Sequence, residues 1–220
     1  MDLQGLIFDL DGTITDTLPL CVRIYQMVFT EFAGVNLNTE QVVSMFGPNE
    51  EGVIRQVIPE HWEAPLERYI QLYEKRHDGG ADVLPGVCEL LGRLRQCGMN
   101  MALVTGKGPE TTKITLEKLN LASYFSMVKT GSAGGSIKPR CIAEILKEWQ
   151  LPPSHVAYVG DAPSDVLDAR QAGVYPITAG WGKPQAFYEE NLHAALTFDA
   201  VGPFADWILK NSAIAQADCV

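Results

Sequence analysis

From Pro85 onward the chain alternates short apolar runs with amphipathic stretches, and this rhythm constrains its fold more than any other feature. A stretch with Val87, Leu90, Leu91 and Leu94 on one helical face precedes the strand-like run Met99 to Val104; a helix after Pro109 precedes a short strand near Ser126 to Val128. A helix bearing Ile142, Ile145, Leu146 and Trp149 then leads to His155–Val159, and a helix over Pro163–Ala172 leads to a final strand at Val174–Thr178. Strands separated by helices pair in parallel, because each helix carries the chain back across the sheet and covers a face of it. Gly5-Leu6-Ile7-Phe8 is a run of the same kind, a strand buried on both faces. The expected fold is therefore α/β, a doubly wound parallel sheet with a Rossmann-like core.

Between the first strand and Pro85 the pattern is different. Leu18, Cys21, Val22, Tyr25, Val28, Phe29 and Phe32 fall at three-and-four spacing, and helical patterns continue to Asp82 with no second buried strand. The parse is a core of residues 1–15 and 83–220 with a small α-helical insertion at 16–82, and a frayed tail at Asn211–Val220.

Composition narrows the function. The 220 residues are 46% apolar, enough for a real core, and the net charge of −10 argues against nucleic-acid or anionic-membrane partners, which draw on clustered Lys and Arg. No apolar run approaches the ~18 residues of a membrane span, and the start Met1-Asp2-Leu3-Gln4 lacks the basic region of a signal peptide. A cytoplasmic location is expected, with Cys21, Cys88, Cys97, Cys141 and Cys219 as reduced, mostly buried thiols, since they contain no C-x-x-C pair.

Open parallel sheets bind ligands beyond the carboxyl ends of their strands. There the chain carries Asp9-Leu10-Asp11-Gly12-Thr13, Thr105-Gly106-Lys107 and Gly160-Asp161-Ala162-Pro163-Ser164-Asp165, with Lys138-Pro139 opening the helix before the fourth strand. Carboxylates converging on one rim raise one another's pKa unless a cation sits among them, and oxygen ligands suit a hard ion such as Mg²⁺ when phosphate is also present. In phosphoryl transfer an Asp at a strand end can be a nucleophile, and a second Asp two residues on can act as general acid and base. Thr105 can donate to a phosphate oxygen, Lys138 can offset developing charge, Asp161 is the candidate side-chain metal ligand and Asp165 can bind or orient that shell. Competing motifs fail on spacing: Gly12 is the fourth residue of a loop begun at Asp9, whereas an EF-hand needs Gly at the sixth, and Gly182-Lys183-Pro184 is no P-loop. His61, His77, His155 and His193 form no ligand spacing.

In order and spacing, Ile7-Phe8-Asp9-Leu10-Asp11-Gly12-Thr13, Thr105-Gly106-Lys107, Lys138-Pro139 and Gly160-Asp161-x-x-x-Asp165 resemble the motifs of the haloacid dehalogenase-like hydrolase superfamily over about residues 1–180. Within it the chain looks most like the phosphoglycolate phosphatase branch, with a helical cap inserted after the first motif. The resemblance implies Asp9 as nucleophile, Asp11 as acid/base, Thr105, Gly106 and Lys138 as phosphate contacts, and Mg²⁺ held by Asp9, the Asp11 backbone carbonyl and Asp161, with Asp165 direct or supporting. The name-giving dehalogenases lack the second Asp, so Asp11 favours phosphate-ester chemistry. The implied activity is hydrolysis of a small phosphorylated metabolite, phosphoglycolate-like, through an aspartyl-phosphate. The alternative is a phosphomutase of the β-phosphoglucomutase type, which shares those motifs, and a non-catalytic phosphate-binding regulatory module is the reading from another class. Within the cap, Phe46-Gly47-Pro48-Asn49-Glu50 is the expected specificity loop, supported by Arg55 or Arg23, while Trp181 could flank the site or serve packing. The cap carries 5 basic and 11 acidic residues, and the excess acids of the core equal in number the quartet Asp9, Asp11, Asp161 and Asp165.

Overall fold

A computed structural model describes residues 2–182 and 196–212. Its sheet contains β1 (Gly5–Phe8), β2 (Asn100–Val104), β3 (Met127–Lys129), β4 (Val156–Gly160), β5 (Tyr175–Ala179) and β6 (Leu196–Phe198). They lie in the order β3-β2-β1-β4-β5-β6 and every adjacent pair is parallel. β1 sits at the topological switch point, with Gly5 in register with Asn100 on one side and Val156 on the other. All four of its residues are buried. Because side chains alternate along a strand, Leu6 and Phe8 enter one apolar layer and Ile7 the other.

The first layer is completed by α5 (Val87–Gln96) and α9 (Val201–Asn211), and the second by α7 (Lys138–Trp149) and α8 (Pro163–Ala172). α7 shows why these stretches are helical. Pro139 suits a first turn, Cys141, Ile142, Ile145 and Leu146 form one buried stripe, and Gln150 closes the helix in the left-handed region at φ 54°. Burying one such large aliphatic side chain contributes roughly 1.5–3 kcal/mol, so the stripe rather than intrinsic propensity holds the helix in place. α6 (Pro109–Lys118) follows β2.

The insertion forms α1 (Leu18–Ala33), α2 (Thr39–Val43), α3 (Glu50–Val57) and α4 (Glu63–His77), with an apolar cluster of its own around Tyr25, Phe29, Tyr69 and Tyr73. The Tyr25 and Tyr69 rings lie 4.4 Å apart between centroids, and Tyr69 and Tyr73 stack at 6.2 Å.

Several expectations need correction. Val174–Thr178 is not the last strand: β6 pairs with β5, and α9 covers it with Phe204, Ala205 and Ile208 buried. Asn211 is the end of α9 rather than part of a frayed tail, since its carbonyl accepts from Leu3 N–H at 3.0 Å; residues 213–220 lie outside the described residues. Cys21 and Cys141 are buried free thiols and Cys88 is an exposed one, but Cys97 is disulfide-bonded rather than reduced; Cys219 lies outside the described residues. Among the described residues no helix is long and apolar enough to cross a membrane.

Candidate active site

The residues that follow β1, β2 and β4 meet where the sheet changes winding direction. Asp9 prolongs β1 by one ladder bond, its N–H donating to Val159 O at 2.8 Å, so the backbone that aims its carboxylate is rigid. The chain then turns tightly: Ile14 and Thr15 both donate to Leu10 O, and Gly12 adopts φ 78°, a region that L side chains avoid. A Cβ on Gly12 would lie 2.4 Å from Asp161 Oδ2, and one on Gly160 would lie 2.4 Å from Asp165 Oδ2. The two glycines make room for carboxylates.

Asp9, Asp161 and Asp165 are all at least nine-tenths buried, and each presents a carboxylate oxygen within 4.8 Å of the others. Lys138, first residue of α7, reaches back to the same point, with Nζ 3.0 Å from Asp9 Oδ1 and 2.6 Å from Asp165 Oδ1. Burial alone would weaken its ammonium, but Asp165 and Asp9 outweigh burial and hold its pKa well above the ordinary lysine value. Asp9 is pushed well above the usual carboxylate range, by burial first and by Asp165, Asp161 and Asp11 next, against the opposing pull of Lys138. Asp165 is tied further by the Ala162 N–H at 3.0 Å and the Tyr158 hydroxyl at 3.4 Å.

The Asp11 side chain lies outside this cluster. It accepts from the Thr17 hydroxyl and pairs with Lys107 Nζ at 3.2 Å. Lys107 is 6% exposed, donates to Cys21 Sγ at 3.0 Å and stands 4.5 Å from the Tyr73 ring centroid. Thr105 is buried just beneath, its Oγ1 accepting from Lys107 N–H, so its own hydroxyl hydrogen stays available.

A cavity of about 440 Å³ lies between this rim and the helical insertion. Asp9, Asp11, Gly106, Lys138, Asp161 and Asp165 all line it, and Thr105 does not. The Phe46–Glu50 loop forms part of the opposite wall, as expected, but Arg55 and Arg23 do not. Arg55 is held by Glu51 at 2.8 Å and covers the Trp62 ring, and Arg23 is exposed. Trp181 packs, donating to Thr13 O at 2.9 Å and stacking on Phe204. Sequence reasoning passed over Tyr69, Glu50 as an individual residue and the Lys107–Asp11 pair. Tyr69 reads as one more apolar position of a helix, and nothing local sets it apart.

Three buried carboxylates backed by two glycines form a donor set of hard oxygens, which fits a Mg²⁺ ion. Fold and site together define an α/β enzyme that works at the carboxyl ends of its parallel strands.

The chain belongs to the haloacid dehalogenase-like hydrolases, whose family model matches residues 6–179. It is 30% identical to a provisionally named pyrophosphatase PpaX of Caldanaerobacter subterraneus, over 86% of this chain and 92% of that protein. It is 26% identical to a phosphoglycolate phosphatase of Chromobacterium violaceum, over 95% and 97%. Its fold matches CbbY of Rhodobacter sphaeroides, solved in complex with phosphate, at a TM-score of 0.77 and 17% identity, over 90% of this chain and 94% of that one. The chain is a phosphoric monoester hydrolase.

Proposed function

We propose that this enzyme is a Mg²⁺-dependent phosphatase that hydrolyses a small phosphate monoester through an aspartyl-phosphate on Asp9, with residues 16–82 acting as a cap domain. The carrying observation is the cluster of Asp9, Asp161 and Asp165 with Lys138 Nζ between two of them, on the floor of a cavity roofed by the insertion. Asp9, Asp161 and the Asp11 backbone carbonyl would hold the ion, which when bound supplies charge neutralisation to the transferring phosphoryl group.

The chain's own groups account for the rest. An Asp9 carboxylate oxygen forms a bond to phosphorus as the ester bond to the leaving oxygen breaks. Asp11, held clear of Asp9 by Thr17 and Lys107, gives its proton to that oxygen and then takes one from the water that hydrolyses the acyl phosphate. Lys138 stabilises charge on the phosphoryl oxygens, with Thr105 and the Gly106 backbone as further contacts. Asp165 acts through Lys138, which it positions at 2.6 Å, in a supporting role. A soluble cytoplasmic setting, acting on a metabolite rather than on nucleic acid or membrane, agrees with the net charge of −10.

Asp9→Asn tests the reading. With p-nitrophenyl phosphate and Mg²⁺, turnover is expected to fall by roughly 10³-fold or more, as removal of a nucleophile does. Undiminished turnover would end it.

A further inference from the structure

The half of the cavity that faces the insertion differs in character from the rim. Leu18, Tyr25, Val43, Phe46, Val53 and Tyr69 line it, a wall of apolar and aromatic side chains. Phe46 lies 6.0 Å and Tyr69 4.4 Å from the Tyr25 ring centroid, so three rings are grouped at one end. Aromatic walls of this kind suit the face or edge of another ring.

Charge points the same way. Among the described residues the cavity is lined by six carboxylates and two lysines, and both lysines are committed, Lys107 to Asp11 and Lys138 to Asp9 and Asp165. The carboxylate on the insertion side, Glu50, is 6% exposed. A phosphate dianion and its metal ion are matched to the rim. A second anionic group on the leaving side would instead sit beside Glu50 with no lysine free to meet it, and like-charge juxtaposition is costly in a desolvated site.

Size and hydrogen bonding add to this. About 440 Å³ falls in the range of ~300–1,000 Å³ typical of sites that enclose a whole organic ligand, so a two-carbon acid would leave much of it to water. Tyr69 is among the residues lining the cavity and is fully buried, and its hydroxyl, close to Cys21 and Tyr25, meets no partner of ordinary hydrogen-bond geometry among the described residues. Burial foremost keeps its phenol protonated and therefore a donor. An unpaired buried hydroxyl is costly, which marks it as a group completed by a ligand.

We propose that the insertion side of this cavity takes an uncharged, ring-bearing alcohol as leaving group, with Tyr69 Oη donating a hydrogen bond to an acceptor on that ring. The inference rests on the phosphatase reading and names its substrate class, which differs from the glycolate expected from sequence.

The test uses the full chain with Mg²⁺ and measures kcat/KM on benzyl phosphate, phosphoglycolate and pyrophosphate by phosphate release. Benzyl phosphate is expected to lead by about tenfold or more, the scale of an unfavourable like-charge contact. A lead for either anionic substrate overturns this inference alone, whereas no release from any of the three overturns the phosphatase reading itself. Val43 is 47% exposed and lines the cavity, so Val43→Lys adds a cation without disturbing the core. It should shift the ratio toward phosphoglycolate by roughly fivefold, the worth of one partly exposed charge pair; an unmoved ratio counts against the proposal. For Tyr69, the parent is expected to prefer the best pyridylmethyl phosphate isomer, whose ring nitrogen accepts, over benzyl phosphate by roughly tenfold, and Tyr69→Phe should reduce that ratio to about one. A ratio that Tyr69→Phe leaves unaltered overturns the assignment of Tyr69.

Discussion

Glu50 joins the insertion to the core, and removing its carboxylate gives a measurable test of how the two are held together. It is the first residue of α3, whose N-terminus is capped by Asn49 Oδ1 accepting from Gly52 N–H at 3.1 Å. From there the carboxylate crosses to the N-terminus of α6, accepting from Gly108 N–H and from the Thr111 hydroxyl, both at 2.5 Å. A carboxylate at a helix N-terminus satisfies a first-turn amide that has no partner within the helix, and the helix dipole favours its charge. In Glu50→Ala the Thr111 hydroxyl can fall back on Gly108 O, 3.3 Å away, but the Gly108 amide is left buried and unpaired. One lost bond to a charged acceptor is worth about 1.5–3 kcal/mol, so the loss should be about 2–3 kcal/mol rather than twice that. For a chain of this size each kcal/mol moves Tm by about 2–4 °C, giving a fall of roughly 4–12 °C. Glu50→Gln keeps one acceptor oxygen and should fall by about half as much. Urea unfolding and calorimetry at fixed Mg²⁺ and pH would check both variants. If Glu50→Ala stayed within ~0.5 kcal/mol of the parent, the range of an ordinary surface substitution, this reasoning would be refuted.

Two further outcomes are expected. Gly12→Ala forces a side chain into φ 78° and against Asp161 Oδ2, so it should cost about 1–2 kcal/mol for the backbone alone and cut turnover by roughly 10²-fold as Asp161 is displaced; an unchanged Mg²⁺-dependent thermal shift would contradict it. His77 is 1% exposed, stands edge-on to Tyr73 and leaves Nε2 unpaired, and burial foremost, then Lys107 and Lys118, holds its pKa below the ordinary 6.5. As pH falls the unfolded chain takes up that proton first, so the stability linked to His77 is complete above pH 6.5 and is lost as pH drops through the lowered folded value. The parent should therefore lose more stability than His77→Phe between pH 7.5 and about 5.5 in urea titrations, and parallel losses would exclude this role.

The sheet and the rim were legible because both depend on short-range pattern. β1, β2, β3, β4 and β5 are apolar runs whose length and flanking turns mark them, and Asp9, Thr105 and Asp161 follow directly on three of them. β6 escaped notice because three residues at a partly exposed edge carry little periodic signal. α9 is a different case: Val201, Phe204, Ala205 and Ile208 do repeat at helical spacing, and the signal was present but passed over. Arg55 was the natural choice for a cap cation by charge alone, and its placement over Trp62 shows how a neighbouring ring and carboxylate can claim a guanidinium first.

What the amino-acid sequence by itself determined is the order of elements up to β5, the doubly wound parallel character of the sheet and the identity of the groups at its rim, since strand periodicity and residues placed one or two positions beyond a strand are local properties. Tertiary structure alone decided which carboxylate meets which lysine: Asp9 and Asp165 share Lys138, while Asp11 takes Lys107. It also decided that Glu50 docks on α6 and that Tyr69, a member of the insertion's own core, borders the cavity as well. Glu50 and Gly108 are 58 residues apart, and no local pattern encodes a contact at that separation. It arises from the packing of two helical faces, and the character of the cavity between the insertion and the sheet rim follows from that packing.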